Sequence, residues 1–207
     1  LTNLASVAMG FSLFGSNVLY PQMLELPVVT GTGFGLSLLG ASLVVMPSGL
    51  VMMLLSPVSG RIAHRIGPRV LLLAGSLALI VSYAFTIVWH SEVWHLVVAN
   101  ILIGVGIGFG YASMPMLIMR SVPPNETGAS NGLNALFRSL GTSIAAAVVA
   151  AVLATYVVEQ GGVQVPTPWA FQLSFILGGL AAVVAFVVAL FIPSRRAPQE
   201  RHPPLPD

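Results

Sequence analysis

Few residues in this 207-residue chain could take part in a reaction, and their surroundings decide which of them do. Ser59 followed by His64 raises nucleophilic catalysis, in which a histidine takes the serine proton. Ser59 sits at the end of an apolar stretch beside a polar connection, the other histidines are His90, His95 and His202, and no oxyanion motif accompanies it. An intramembrane protease is therefore not expected. Gly104, Gly106, Gly108 and Gly110 alternate like a nucleotide fingerprint, but that motif needs a strand before the glycines and a helix start at them. These glycines lie in mid-run, where small residues let helices pack closely. The absence of Cys excludes disulfides, Cys-ligated metals and thiol catalysis, and no metal, cofactor or catalytic residue is assigned. What remains is charge in apolar surroundings: Glu25 between Pro21 and Pro27, and Arg138 well inside a hydrophobic run.

The elements that hold these charges follow from composition. The chain is 56% hydrophobic and 7% charged, too few charges to clothe a soluble globule. Lipid is the expected solvent. Crossing a hydrocarbon core of about 30 Å takes roughly 20 apolar residues as a helix. Runs of that kind extend from Leu4 to Leu24, Gly33 to Ser56, Val70 to Trp89, His95 to Met119, Ala129 to Tyr156 and Trp169 to Ile192. The sequence thus predicts an all-α integral membrane fold of six transmembrane helices over residues 1–192, with residues 193–207 as a disordered cytoplasmic tail. Turn residues punctuate the connections: Pro27 and Gly31, Gly67-Pro68, Pro123-Pro124-Asn125, Gly161-Gly162, and Pro166 with Pro168. Leu1 already lies inside an apolar run, with no Met before it, so a preceding segment is expected.

The basic residues are eight arginines and no lysine. Arg61, Arg65, Arg69, Arg120, Arg195, Arg196 and Arg201 alternate with the spans so that all seven share one membrane side. The opposite connections hold Glu25, Glu92 and Glu159 and no Arg. By the positive-inside rule the arginine side is cytoplasmic. This distribution argues for membrane orientation and against nucleic acid as a partner. It also removes Asn125-Glu126-Thr127 as a glycosylation site. Trp89, Trp94, Trp169, Tyr20 and Tyr156 are then expected in an outer aromatic belt.

The third and sixth runs are almost uniform in Leu, Val, Ala and Ile, so they are expected to face lipid while the other four surround a cavity. Laying Pro21 on Pro115 puts Gly10 on Gly104, and Ser12 and Ser16 on Gly106 and Gly110. The two runs cross in opposite directions, which predicts an inverted three-plus-three repeat with a binding site near the Gly- and Pro-interrupted pair. Pro21 and Pro115 are candidate hinges, because each deletes a backbone hydrogen bond. Asn17, Glu25, Asn100, Tyr111, Met114, Asn134 and Arg138 are the candidate cavity or coupling residues. Glu25 could draw cationic solutes or titrate; a solvated interfacial carboxylate is the plainer alternative. Asn131, Asn134 and Arg138 share one stripe of the fifth helix, continued by Gly141 and Ala145. That stripe is expected to meet a further part of the protein near the cytoplasmic end, unless Arg138 only snorkels to the interface.

Gly60-Arg61-Ile62-Ala63-His64-Arg65-Ile66-Gly67-Pro68-Arg69 resembles the cytoplasmic loop motif of the major facilitator superfamily, with His64 where that family carries Asp. The motif implies a gate role for Gly60, Arg61, His64, Arg65, Gly67 and Arg69; the plainer alternative is that these arginines only set topology. The stretch Ser121-Val122-Pro123-Pro124-Asn125-Glu126-Thr127-Gly128-Ala129-Ser130-Asn131-Gly132-Leu133, then Leu136-Phe137-Arg138-Ser139-Leu140-Gly141, resembles the fourteen-helix drug/proton antiporter branch. Pro47, ahead of Pro57, fits the same branch. The resemblance implies the C-terminal half of a bacterial plasma-membrane transporter, working with an N-terminal half on small amphipathic solutes and protons. A six-helix channel or structural membrane protein is the alternative.

Overall fold

A computed structural model describes residues 1–160 and 162–193. Six long helices dominate: α1 (Thr2–Glu25), α2 (Leu38–Ile66), α3 (Pro68–Val88), α4 (Val93–Met119), α5 (Thr127–Thr155) and α6 (Pro168–Leu190). Five are long and apolar enough to cross a membrane. The other, α1, has the length but carries Asn3, Ser6, Ser12, Ser16 and Asn17; neighbouring helices bury the three serines, while Asn17 is exposed. The expected tail falls almost wholly on residues outside those described.

Local chemistry sets the ends. Ser37 and Thr167 accept hydrogen bonds from the N–H groups of Gly40 and Ala170, satisfying donors in the first turns of α2 and α6. Pro68 and Pro168 open α3 and α6, where a missing N–H costs nothing. Glu92 and His95 form a reciprocal capping box at the start of α4. After a single 3₁₀ turn at Val28–Thr30, the chain runs back along the end of α1, and the N–H groups of Leu36 and Gly35 reach the Leu24 and Leu26 carbonyls at 2.9 and 2.8 Å.

The second span differs from its expected bounds. Residues 33–37 are not helical, and α2 continues to Ile66, so most of the loop motif forms the last turns of a helix. The turn itself is Gly67 alone, whose φ of 92° places it where glycine is favoured. A two-stranded hairpin, β1 (Val157–Gln160) and β2 (Val163–Pro166), joins α5 to α6, with Gln160 opposite Val163. Gly162, in the connection between the strands, has φ 82°, where glycine is favoured.

The packing plan repeats. α1 packs on α5 and α6, α4 packs on α2 and α3, and α3 meets α6. Exchanging the first three helices for the last three maps the α1 contacts onto the α4 contacts and the α3–α6 contact onto itself, as an inverted repeat requires. Gly10 and Gly104, which the repeat superimposes, each lie against a backbone carbonyl of the crossing helix: Arg138 of α5 and Ser48 of α2.

Buried hydroxyls tie the interior together. The Tyr20 hydroxyl meets Thr86 Oγ1 at 2.7 Å, and Ser82 Oγ donates to the Ala99 carbonyl at 2.8 Å. Tyr83 donates to the Ser12 carbonyl. Tyr20 is 0% exposed, so it does not belong to the aromatic belt, whereas Trp89, Trp94, Trp169 and Tyr156 are exposed as that belt requires. α3 and α6 each bury one face, and the most open helices are α2 and α5, with Leu39, Leu43 and Met53 on one and Leu136 and Leu140 on the other.

Candidate functional site

Pro21 and Pro115 each stand four residues before the end of their helix, α1 and α4. Neither can donate to the carbonyl four residues earlier, which belongs to Asn17 in α1 and Tyr111 in α4. The repeat therefore places two freed backbone acceptors at equivalent positions near opposite ends of the bundle, and both residues were candidates from sequence. Asn17 is exposed and Tyr111 half-buried.

Beside Pro21, a groove of about 670 Å³ opens between α1 and α2. Its walls include Val45, Met46, Leu50 and Met53, and Glu25 stands at its rim as the groove's one carboxylate. The hydroxyls of Ser42 and Ser48 also line it, but each already donates to a carbonyl of its own helix, Leu38 and Val45. The groove is thus an apolar slot with one anionic group. Sequence reasoning found Glu25 and Pro21 and missed the α2 wall, because it is mainly apolar and carries no charge.

Beside Pro115 the chemistry differs. The Arg138 guanidinium lies over the Tyr111 ring, 4.6 Å from its centroid. The Arg138 backbone packs on Gly10, where a β-carbon would collide with its carbonyl. Asn134 Nδ2 donates to Asn3 Oδ1 at 3.0 Å and to Ser6 Oγ, and Ser6 Oγ reaches Met114 Sδ at 3.1 Å. Asn134, Gly141 and Ala145 of the α5 stripe are therefore covered by this chain's own helices, and for these three the expected meeting with a further part of the protein is corrected: Asn134 bonds α1 and Gly141 packs on Val7, while Arg138 stays half-buried. Asn134 and Asn100 are 2% exposed and Met114 0%, so in this conformation they serve helix packing; Asn100 Nδ2 donates to the Leu96 carbonyl within α4.

The motif residues gather at the bundle end where α2 stops and α3 starts. Arg61, His64 and Arg65 are exposed. Arg69 turns inward, donating from Nε to the Ala189 carbonyl at 3.2 Å and from Nη2 to the Leu190 carbonyl at 2.5 Å. It thereby caps the C-terminus of α6, where unpaired carbonyls and the negative end of the helix dipole favour a cation. Ser59, the conceivable nucleophile, is 0% exposed and donates to the Leu55 carbonyl at 2.7 Å. Gly104 and Gly108 lie against α2, and Gly106 against α3, as packing surfaces.

These features define a multi-pass helical membrane protein built on an inverted repeat, with polar groups near the ends of its two proline-containing helices. A model of the Major Facilitator Superfamily matches residues 2–207. The chain belongs to that family, which places it among membrane transporters and not among enzymes. It is similar to the lincomycin resistance protein LmrB of Listeria monocytogenes, 27% identical over 82% of this chain and 38% of that protein. It is also similar to the multidrug resistance protein Stp of Mycobacterium tuberculosis, 28% identical over 70% of this chain and 26% of Stp. An arabinose-proton symporter of Bacillus subtilis is 31% identical over 66% of this chain and 28% of the symporter. A crystal structure of the peptide transporter POT in complex with sulfate shares the fold, with TM-score 0.73 and 19% identity over 91% of this chain and 36% of that one. The chain thus spans between about a quarter and two-fifths of the length of these proteins.

Proposed function

We propose that this chain is the C-terminal half of a bacterial plasma-membrane transporter that exports small amphipathic solutes in exchange for protons by alternating access. The observation that carries the reading is the α1/α2 groove: about 670 Å³, with apolar walls and Glu25 at the rim. An apolar wall binds the hydrophobic body of a solute, and one carboxylate favours a cationic group on it. Two relatives carry drug-resistance names, which agrees with such a cargo. Sugar transport fits this groove less well, because a sugar needs several hydrogen-bond partners and the Ser42 and Ser48 hydroxyls already donate to carbonyls of their own helix. The positive-inside rule supports a cytoplasmic position for the end of the bundle that carries Arg61, Arg65, Arg69 and Arg120. Pro21 and Pro115 are the flexible points, and the exposed Arg61, His64 and Arg65 are free to contact the N-terminal half at the cytoplasmic gate.

The test is Glu25→Gln in the intact transporter, comparing a lipophilic cation with a neutral solute of similar size. The expected result is a KM for the cation raised about threefold to tenfold, in line with the loss of one partly screened charge contact, with the neutral solute unaffected. Equal changes for both solutes would remove Glu25 from recognition.

A further inference from the structure

Arg138 is the charge that packing leaves least explained. It lies 11 residues into α5 from Thr127, about 16 Å along the helix axis. Tyr111, on which it sits, lies eight residues before the end of α4 at Met119, about 12 Å in from the same end. Both measures put the guanidinium within the apolar depth of the bundle and away from the headgroup level. The contact with Tyr111 therefore argues against snorkelling, which would carry the side chain out to the interface.

A guanidinium at that depth is costly unless its donors are met. A ring face satisfies its charge in part but accepts none of its five N–H bonds in the plane. Among the described residues the carboxylates stand at helix ends or in connections: Glu25 closes α1, Glu92 and Glu126 precede α4 and α5, and Glu159 lies in β1. Even Glu126 is 12 residues away along the chain, about 18 Å if the helix rise is extended back to it. The side chain is half-buried and so remains open on one side. The guanidinium thus lies over the Tyr111 ring, and among the described residues its N–H groups meet no hydrogen-bond acceptor.

We propose that Arg138, seated on Tyr111, is the receiving group of a carboxylate-binding subsite. A planar fork matches a carboxylate through two parallel N–H···O bonds, and stacking on Tyr111 keeps that fork from folding back on the helix. Tyr111 is the positioning residue. The carboxylate comes either from a solute or from a side chain in the remainder of the transporter, and the chemistry at Arg138 is the same. The subsite lies toward the cytoplasmic end, opposite the Glu25 groove, and its role in transport rests on the function proposed above.

The experiment uses the intact transporter in proteoliposomes, with 1-naphthoate and 1-naphthamide as binding probes and tetraphenylphosphonium as the transported cation. If the carboxylate belongs to solutes, Arg138→Gln weakens naphthoate binding about tenfold or more and leaves naphthamide binding unchanged. If it belongs to the protein, Arg138→Gln moves the acid limb of the tetraphenylphosphonium transport profile to higher pH, because the carboxylate loses the cation that keeps it ionised. In either case Tyr111→Phe preserves the wild-type value and Tyr111→Leu shifts it in the direction of Arg138→Gln. Should Arg138→Gln fail to reach the membrane, Arg138→Lys and Tyr111→Leu carry the same two measurements. Wild-type naphthoate affinity together with an unshifted pH profile, in variants of normal abundance, would overturn the proposal. Failure of the wild type to move tetraphenylphosphonium, with naphthoate binding still dependent on Arg138, would instead overturn the transport reading alone.

Discussion

The α1 segment that contains Pro21 carries an exposed Asn17 and ends on the Glu25 carboxylate at the groove; the α4 segment that contains Pro115 presents Tyr111 to the Arg138 guanidinium. The two three-helix units share a packing plan yet place opposite charges near opposite ends. An inverted repeat explains the shared part, since Gly10 and Gly104 make the same kind of contact with the carbonyl of a crossing helix. The difference lies in side chains that packing does not dictate. Glu25 and Asn17 are exposed and Arg138 is half-buried, so each is free to answer to a solute or partner, whereas Ser6, Asn100 and Asn134 are held by bonds to neighbouring groups.

The shared plan is broken most severely by bulk at its crossings. Gly10→Leu and Gly104→Leu should each cost about 3 kcal/mol or more, because the added side chain meets backbone that cannot rotate away. Membrane abundance of both variants should fall together, while Gly132→Ala, which faces open space, should leave it intact. Loss for one crossing and tolerance at the other would break the equivalence. The proline comparison acts next, on rate. Pro21→Ala and Pro115→Ala restore a helix donor to the carbonyls of Asn17 and Tyr111 and should each slow turnover severalfold with normal abundance. Unchanged turnover in both would remove the hinges. The smallest effect concerns the motif. Arg69→Gln should lower stability by about 1 kcal/mol through loss of the α6 cap, seen as a melting point a few degrees lower. Arg61→Gln, at an exposed position, should leave the melting point unchanged.

Much of this fold was legible because the bilayer imposes a length on each apolar run, and the repeat was legible because close crossings demand small residues at fixed places. Other features depended on partners far along the chain. The burial of Tyr20 follows from Thr86 on α3, and the bonding of Asn134 from Asn3 and Ser6 on α1, so a polar stripe announced contact without naming the helix that makes it. The extension of α2 to Ile66 was hidden because charged residues at a membrane surface can stay helical after the apolar run ends. The hairpin carries a strand signal in the sequence, since Val157-Val158-Glu159-Gln160 and Val163-Gln164-Val165 flank a Gly-Gly pair, but the signal is short beside the spanning helices on either side. Of the site, sequence supplied the charged and kinked residues, while the α2 wall and the seat of Arg138 on Tyr111 required coordinates.

Alternating access through the α1/α2 groove is tested most directly at Met46, which lines the groove on α2. Met46→Cys, in the intact transporter freed of other reactive cysteines, would be treated with a membrane-impermeant maleimide from the side on which Ser91→Cys is labelled. The account predicts that a transported solute slows modification of Met46→Cys several times over and leaves Ser91→Cys unaffected. Equal modification rates with and without solute, in protein that is actively transporting, would contradict it.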